Sequence, residues 1–125
     1  MMENEIATLA LDVAFKIHKQ YGPGLYESVY EKLFCYEWDK LNMWYLRQHP
    51  VPLVHENIRL EIGFRADLIL NDLVLIELKS VEKLDNVHFK QVLTYLKLSK
   101  LRLGLLINFN SVYLKNGIHR IVNGL

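Results

Sequence analysis

With 125 residues, 51% of them hydrophobic, the chain can bury one substantial core, and a second catalytic domain is not expected. Its 15 basic and 14 acidic residues leave a net charge of +1, which argues against a protein that coats DNA, because non-specific duplex binding draws on a large basic excess or a dense basic run. Only a modest cluster at Lys97, Lys100 and Arg102 departs from this dispersion, so the composition neither supports nor excludes a nucleic-acid substrate.

Ile6, Leu9, Ala10, Val13, Ala14 and Ile17 recur at helical spacing and predict a first amphipathic helix of about four turns. The acidic start, with Glu3, Glu5 and Asp12 and no basic leader, does not read as a signal peptide. No apolar run approaches the ~20 residues that span a bilayer, so no membrane partner and a cytoplasmic location are expected. Gly22-Pro23-Gly24 ends the first helix, because proline cannot continue the helical hydrogen bonds. A second helix is expected from about Leu25 to Leu41, with Tyr26, Val29, Tyr30, Leu33 and Phe34 on one side. Cys35, the single cysteine, lies within it as a small buried hydrophobe, which rules out an internal disulfide and a cysteine-based zinc site. The five histidines show no ligand spacing, so a histidine zinc site is not expected either.

Trp44 to Val54 reads as an extended segment kept at a sheet edge by Pro50 and Pro52. Ile58 to Ile62 reads as a short strand leading into the next one. Asp85 is placed to cap a third helix from about Asn86 to Leu98. Leu103 to Phe109 is a continuous apolar run, as an interior strand covered on both faces requires. Asn116-Gly117 between Val112–Leu114 and Ile118–Val122 predicts a terminal two-residue hairpin. The order defines one α/β domain over residues 1–125 with a mixed sheet.

The most informative stretch is Arg65-Ala66-Asp67-Leu68-Ile69-Leu70, a polar break at Asn71-Asp72, and Leu73-Val74-Leu75-Ile76-Glu77-Leu78-Lys79. Both flanks read as strands. Glu77 and Lys79 share a face, since side chains alternate along a strand. Charges in so apolar a run are costly to bury without partners. A divalent cation held by Asp67 and Glu77, with Lys79 beside it, accounts for all three and suits metal-assisted hydrolysis of a phosphodiester. The competing account is a solvated strand face. The turn constrains the choice. A two-residue Asn71-Asp72 turn pairs Leu70 with Leu73 and sends Asp67 and Glu77 to opposite faces, so a shared ion requires an odd-length loop or a bulge. Leu70-Asn71-Asp72 is the expected three-residue loop.

On the third helix His88, Gln91 and Tyr95 fall on one side, next to the apolar stripe of Phe89, Val92, Leu93 and Leu96. They form either an ordinary core boundary or a polar patch that positions a phosphate or water. Glu27, in the first turn of the second helix, is stabilised there by the helix dipole alone or completes a metal site. The sequence leaves the two accounts of Glu27 open.

Taken together, Gly24-x-x-Glu27-x-x-Tyr30, Arg65-Ala66-Asp67-Leu68, Glu77-Leu78-Lys79-Ser80, Gln91 with Tyr95, and Gly104–Phe109 resemble the GxxExxY proteins, small bacterial members of the PD-(D/E)xK nuclease superfamily. The resemblance implies an αβββαβ core flanked by helices, with an added N-terminal helix and a C-terminal hairpin. It further implies Mg²⁺ or Mn²⁺ at Asp67, Glu77 and the main-chain carbonyl of Leu78, with Lys79 as catalytic lysine and Glu27 as the helical acid. Gln91 and Tyr95 resemble the Q-x-x-x-Y element of the superfamily's RecB-like branch. Ala66 stands where the superfamily's usual proline precedes the first acid. The function expected is a metal-dependent nuclease acting on DNA or RNA, alone or with a second copy or a protein partner. The alternatives are a non-catalytic nucleic-acid- or protein-binding module on the same fold, and a structural oligomer built on the aromatic second helix.

Overall fold

A computed structural model describes residues 1–125. Helix α1 spans Glu3–Tyr21, longer at both ends than its apolar stripe, and buries Ile6, Ala10, Val13, Ala14 and Ile17. It stops at Gly22, whose φ of 67° is open to glycine at little cost. Helix α2 spans Glu27–Asp39 and buries Tyr30, Phe34, Cys35 and Trp38.

Strands β1 (Tyr45–Pro50), β4 (Arg65–Leu70), β5 (Val74–Lys79), β6 (Leu103–Asn108) and β7 (Ile118–Val122) form one sheet in the order β1-β4-β5-β6-β7. All neighbours are antiparallel except β5 and β6, which run parallel and are joined through α3 (Asn86–Ser99). The parallel pair needs that crossover, and the continuous apolar run of β6 reflects its burial along all six residues. The helix α2, the strands β1, β4 and β5, then α3 and β6 give the expected αβββαβ core, with α1 and β7 added.

Each face of the sheet has its own apolar layer. Leu68, Leu70, Ile76, Leu78, Leu105 and Ile107 pack against α1 and α2 in a cluster of 20 buried residues. On the other face Ile69, Leu75 and Leu106 meet Val92, Tyr95 and Leu96 of α3 in a cluster of 8. The α3 helix lies close on β6 because residue 104 is glycine: a Cβ there would come within 2.8 Å of Val92 Cγ1. Asp85 stands at the N-cap of α3 as expected, but its carboxylate makes no cap hydrogen bond; the cap bond is the reverse one, from the Asp85 N–H to His88 Nδ1. No helix is long and apolar enough to cross a membrane.

Two local expectations are corrected. Ile58–Leu60 (β3) does not lead into the main sheet. It pairs with β2 (Leu53–His55) in a separate two-stranded hairpin, and every residue of β3 is exposed. The Asn116-Gly117 hairpin also does not form. Leu114–Gly117 is a 3₁₀ turn, Val112 and Tyr113 are exposed outside any strand, and β7 pairs with β6 instead. The terminal antiparallel pair therefore exists, but with a long connection. A local turn signal lost to the five-residue antiparallel pairing of β7 with β6, and Gly117 sits so close to Asn108 O and Ser111 that a side chain would not fit there.

Candidate active site

The β4–β5 ladder decides where the acidic groups lie. Its pairs are Leu70–Val74, Ile69–Leu75 and Leu68–Ile76, closed by the three-residue loop Asn71-Asp72-Leu73. The loop is odd in length, one residue further along than Leu70-Asn71-Asp72. Asn71 and Asp72 both take left-handed backbone, φ 54° and 57°, which their short polar side chains tolerate. This register puts Asp67 directly opposite Glu77, on a common face.

The main-chain ladder ends at Leu68–Ile76, and the carboxylates take over its hydrogen bonds. Glu77 Oε1 accepts from the Asp67 N–H at 3.0 Å, and Asp67 Oδ2 accepts from the Leu78 N–H at 2.8 Å. Each acid thereby locks onto the other's strand. Glu77 is buried, and burial followed by the nearby Asp67 charge pushes its carboxyl up to about 8. Burial also raises Asp67, with the Leu78 N–H opposing the rise and the Glu31 charge adding to it. Two adjacent carboxyls with raised pKa values, Glu77 buried and Asp67 half-buried, mark a site short of positive charge.

Lys79 follows on the Glu77 face, half-buried, and its ammonium takes part in none of the chain's five ion pairs. Its main chain is fixed: the Lys79 carbonyl accepts from Phe109 N–H at 2.9 Å. Buried Asn108 pins the next residues, its Oδ1 accepting from Val81 N–H and its Nδ2 donating to Val81 O.

The Gly24-x-x-Glu27-x-x-Tyr30 segment is built against this strand end. Gly24 has φ 111°, a conformation open to glycine. The Tyr30 hydroxyl donates to Gly22 O and accepts from Leu25 N–H, and its ring stacks on Phe109 at 4.3 Å. Ser80 Oγ, one residue past Lys79, donates to Leu25 O at 2.7 Å. The turn before α2 is thus tied directly to the end of β5.

Between α2 and the strands lies a hollow of about 150 Å³ lined by Glu27, Ser28, Glu31, Gln48, Asp67 and Leu78. Glu27 stands on its exposed rim and Glu31, one helical turn further in, is buried. Glu31 Oε2 accepts from Arg47 at 2.7 Å and Oε1 from Gln48 at 2.6 Å, and the same Gln48 nitrogen lies 3.2 Å from Asp67 Oδ1. Glu31, Arg47 and Gln48 were not apparent from the sequence. For Glu31 a signal existed, because it lies four residues after Glu27 and so on the same helix face.

On α3, Tyr95 is buried against Phe64, and burial first, then the Glu77 and Asp67 charges, hold its hydroxyl above the usual tyrosine range. Gln91, one turn earlier, is exposed. His88 Nδ1 accepts from Asp85 N–H at 3.0 Å, so the ring's first task is to cap the helix.

No three Asp, Glu, His or Cys side chains converge into a ready-made cage for a metal ion. The donor set nevertheless fits Mg²⁺ or Mn²⁺, which take one or two carboxylates and keep several waters. A cation there would offset the charge that burial and mutual repulsion now disfavour on Asp67 and Glu77.

The mixed five-stranded sheet with helices on both faces, its paired acids where a hairpin ladder opens, is the scaffold of a PD-(D/E)XK core. The sequence profile of the PD-(D/E)XK nuclease superfamily matches residues 4–121, and the chain belongs to that superfamily. No curated protein and no solved structure matches it.

Proposed function

We propose that this chain is a Mg²⁺- or Mn²⁺-dependent nuclease of the GxxExxY type that hydrolyses phosphodiester bonds in DNA or RNA. The observation carrying this reading is the placement of Asp67 opposite Glu77 at the end of the ladder, each bonded to the main chain of the other's strand. Asp67, Glu77 and the Leu78 carbonyl are the proposed metal ligands, with Glu27 on the rim and Glu31 within the hollow as further acids. When bound, the ion supplies a more acidic water and stabilises charge on the phosphate.

The other roles fall to the protein. Lys79, free of any ion pair, orients the attacking water and offsets negative charge developing on the phosphate oxygens. The cross-bonding of the acids holds the ligand oxygens in place before substrate arrives, which limits reorganisation during the reaction. Tyr95, exposed Gln91 and the free edge of the His88 ring, all on α3, are the groups proposed to position the substrate backbone or a water.

The test is incubation with supercoiled plasmid, single-stranded DNA and RNA, with Mg²⁺ or Mn²⁺ and with chelator. Cleavage should appear with metal and vanish with chelator. Lys79→Ala should lower its rate by about 10²–10³-fold while Mn²⁺ affinity and melting temperature stay near wild type. A Lys79→Ala protein as active as wild type removes the lysine from the chemistry.

A second reading is a non-catalytic binding module, alone, as a homodimer or with a protein partner. The balanced charge and the lack of a three-acid cage favour it. Metal-independent retention of labelled DNA or RNA, with no cleavage under any condition, selects that reading.

A further inference from the structure

We propose that Gln48 is an additional ligand of the cation, and that its carboxamide works as a two-state group, donating to the acids without metal and presenting its oxygen once the ion binds. This rests on the metal-binding reading above and deepens it. One nitrogen, Nε2, bridges two carboxylates of different elements: it lies 2.6 Å from Glu31 Oε1 on α2 and 3.2 Å from Asp67 Oδ1 on β4. An NH₂ group carries two hydrogens, one for each acid. Its partial positive charge stands between two negative groups, where an ion coordinated by both would sit.

The backbone is shaped to deliver this group. In the β1–β4 register Gln48 falls opposite Asp67, between the pairs Arg47–Leu68 and His49–Ala66. Regular alternation would send Arg47 and Gln48 to opposite faces of the sheet. Instead Gln48 has φ 50°, and these two consecutive side chains both reach Glu31. Left-handed backbone is uncommon for a residue other than glycine. Placing an amide between Glu31 and Asp67 is what that conformation achieves.

The chemistry requires a carboxamide in particular. A half-turn about the last side-chain bond exchanges Oε1 and Nε2 with almost no change in shape, and the amide oxygen is a hard ligand of the kind divalent cations accept. Gln48 is exposed on an edge strand, so nothing packed against it resists the turn. In the metal-free protein the NH₂ satisfies both acids. With the ion in place an NH₂ facing it would repel, and the oxygen takes its position.

Calorimetric titration with Mn²⁺ and Mg²⁺ of wild type, Gln48→Met and Gln48→Glu, with thermal melts in chelator, tests the proposal. The Met side chain keeps length and loses both donor and acceptor. It should weaken metal binding at least tenfold and lower the metal-free melting temperature. Gln48→Glu keeps an oxygen ligand and adds charge. It should bind metal at least threefold more tightly than wild type, yet melt at lower temperature in chelator because three acids then face one another. A Met variant that binds as tightly as wild type, or more tightly, overturns the inference, since Gln48 would then only block the site. Should the Met variant not fold, a Glu variant no tighter than wild type overturns it equally. If wild type takes up neither ion at millimolar concentration, the metal-binding reading falls and this inference with it; uptake by wild type with unaltered variants sinks the inference alone.

Discussion

The β4–β5 hairpin has two ends built on opposite terms. At the turn end Leu68, Ile69, Leu70, Val74, Leu75 and Ile76 are all buried and their main chains form an uninterrupted ladder. One residue pair further on, Asp67 and Glu77 face each other, the ladder stops, and carboxylates accept the N–H groups that carbonyls would otherwise take. The turn end lowers the free energy of the fold. The open end raises it, because burial and repulsion disfavour the charged acids. Stability and the candidate chemistry thus occupy adjacent residues of one hairpin, and the apolar end holds the acidic end in a geometry it would not adopt alone.

The largest effect expected comes from weakening the supporting end. Ile76 is wholly buried, and Ile76→Ala should cost about 2–5 kcal/mol through lost burial and the cavity left behind. Denaturant unfolding measures this. A cost below that range, with the fold unchanged, would mean that the apolar end of the hairpin does not support the acidic end.

A smaller effect of opposite sign is expected at the open end. The folded protein holds a proton on Glu77 up to about pH 8, whereas the unfolded chain releases it near pH 4.5. Between those values the folded state binds more protons, so metal-free stability falls as pH rises and levels off above about pH 8. Glu77→Gln keeps an acceptor for the Asp67 N–H and cannot ionise. In chelator it should match wild type near pH 5 and exceed it by a few kcal/mol at pH 8, while losing metal affinity. Unfolding curves at pH 5, 6.5 and 8 decide the matter, and a wild-type profile that is flat in chelator contradicts the charge account.

The smallest effect concerns the loop that sets the register. Asp72 is exposed with φ 57°, so Asp72→Gly should relieve left-handed strain and stabilise by about 0.5–1 kcal/mol, leaving metal affinity untouched. A thermal melt detects it. A shift in metal affinity would show that the loop does more than fix the register.

The hairpin also shows what could be read in advance. The apolar runs marked both strands, and the need for Asp67 and Glu77 to share a face required an odd loop. Its placement at Asn71-Asp72-Leu73 rather than one residue earlier depended on packing: pairing Leu70 with Val74 aligns buried residues of both strands along the whole ladder. The Asn116-Gly117 turn did not form for a related reason, since a two-residue propensity is weak beside the five-residue antiparallel ladder that β7 makes with β6.

The sequence by itself determined the elements with strong apolar periodicity: the three helices, the interior strand β6, the strands carrying Asp67 and Glu77-x-Lys79, and with them the α/β class. Those signals are local, set by 3.6- and 2-residue repeats and by capping and breaking residues. Tertiary structure decided what depends on elements distant in the chain. Glu31 became an inner wall of the hollow only because α2 packs over the open hairpin, and Gln48 reached it only through a left-handed residue in the middle of β1. Neither has a sequence period, because a contact between a helix and an edge strand is fixed by how whole layers pack.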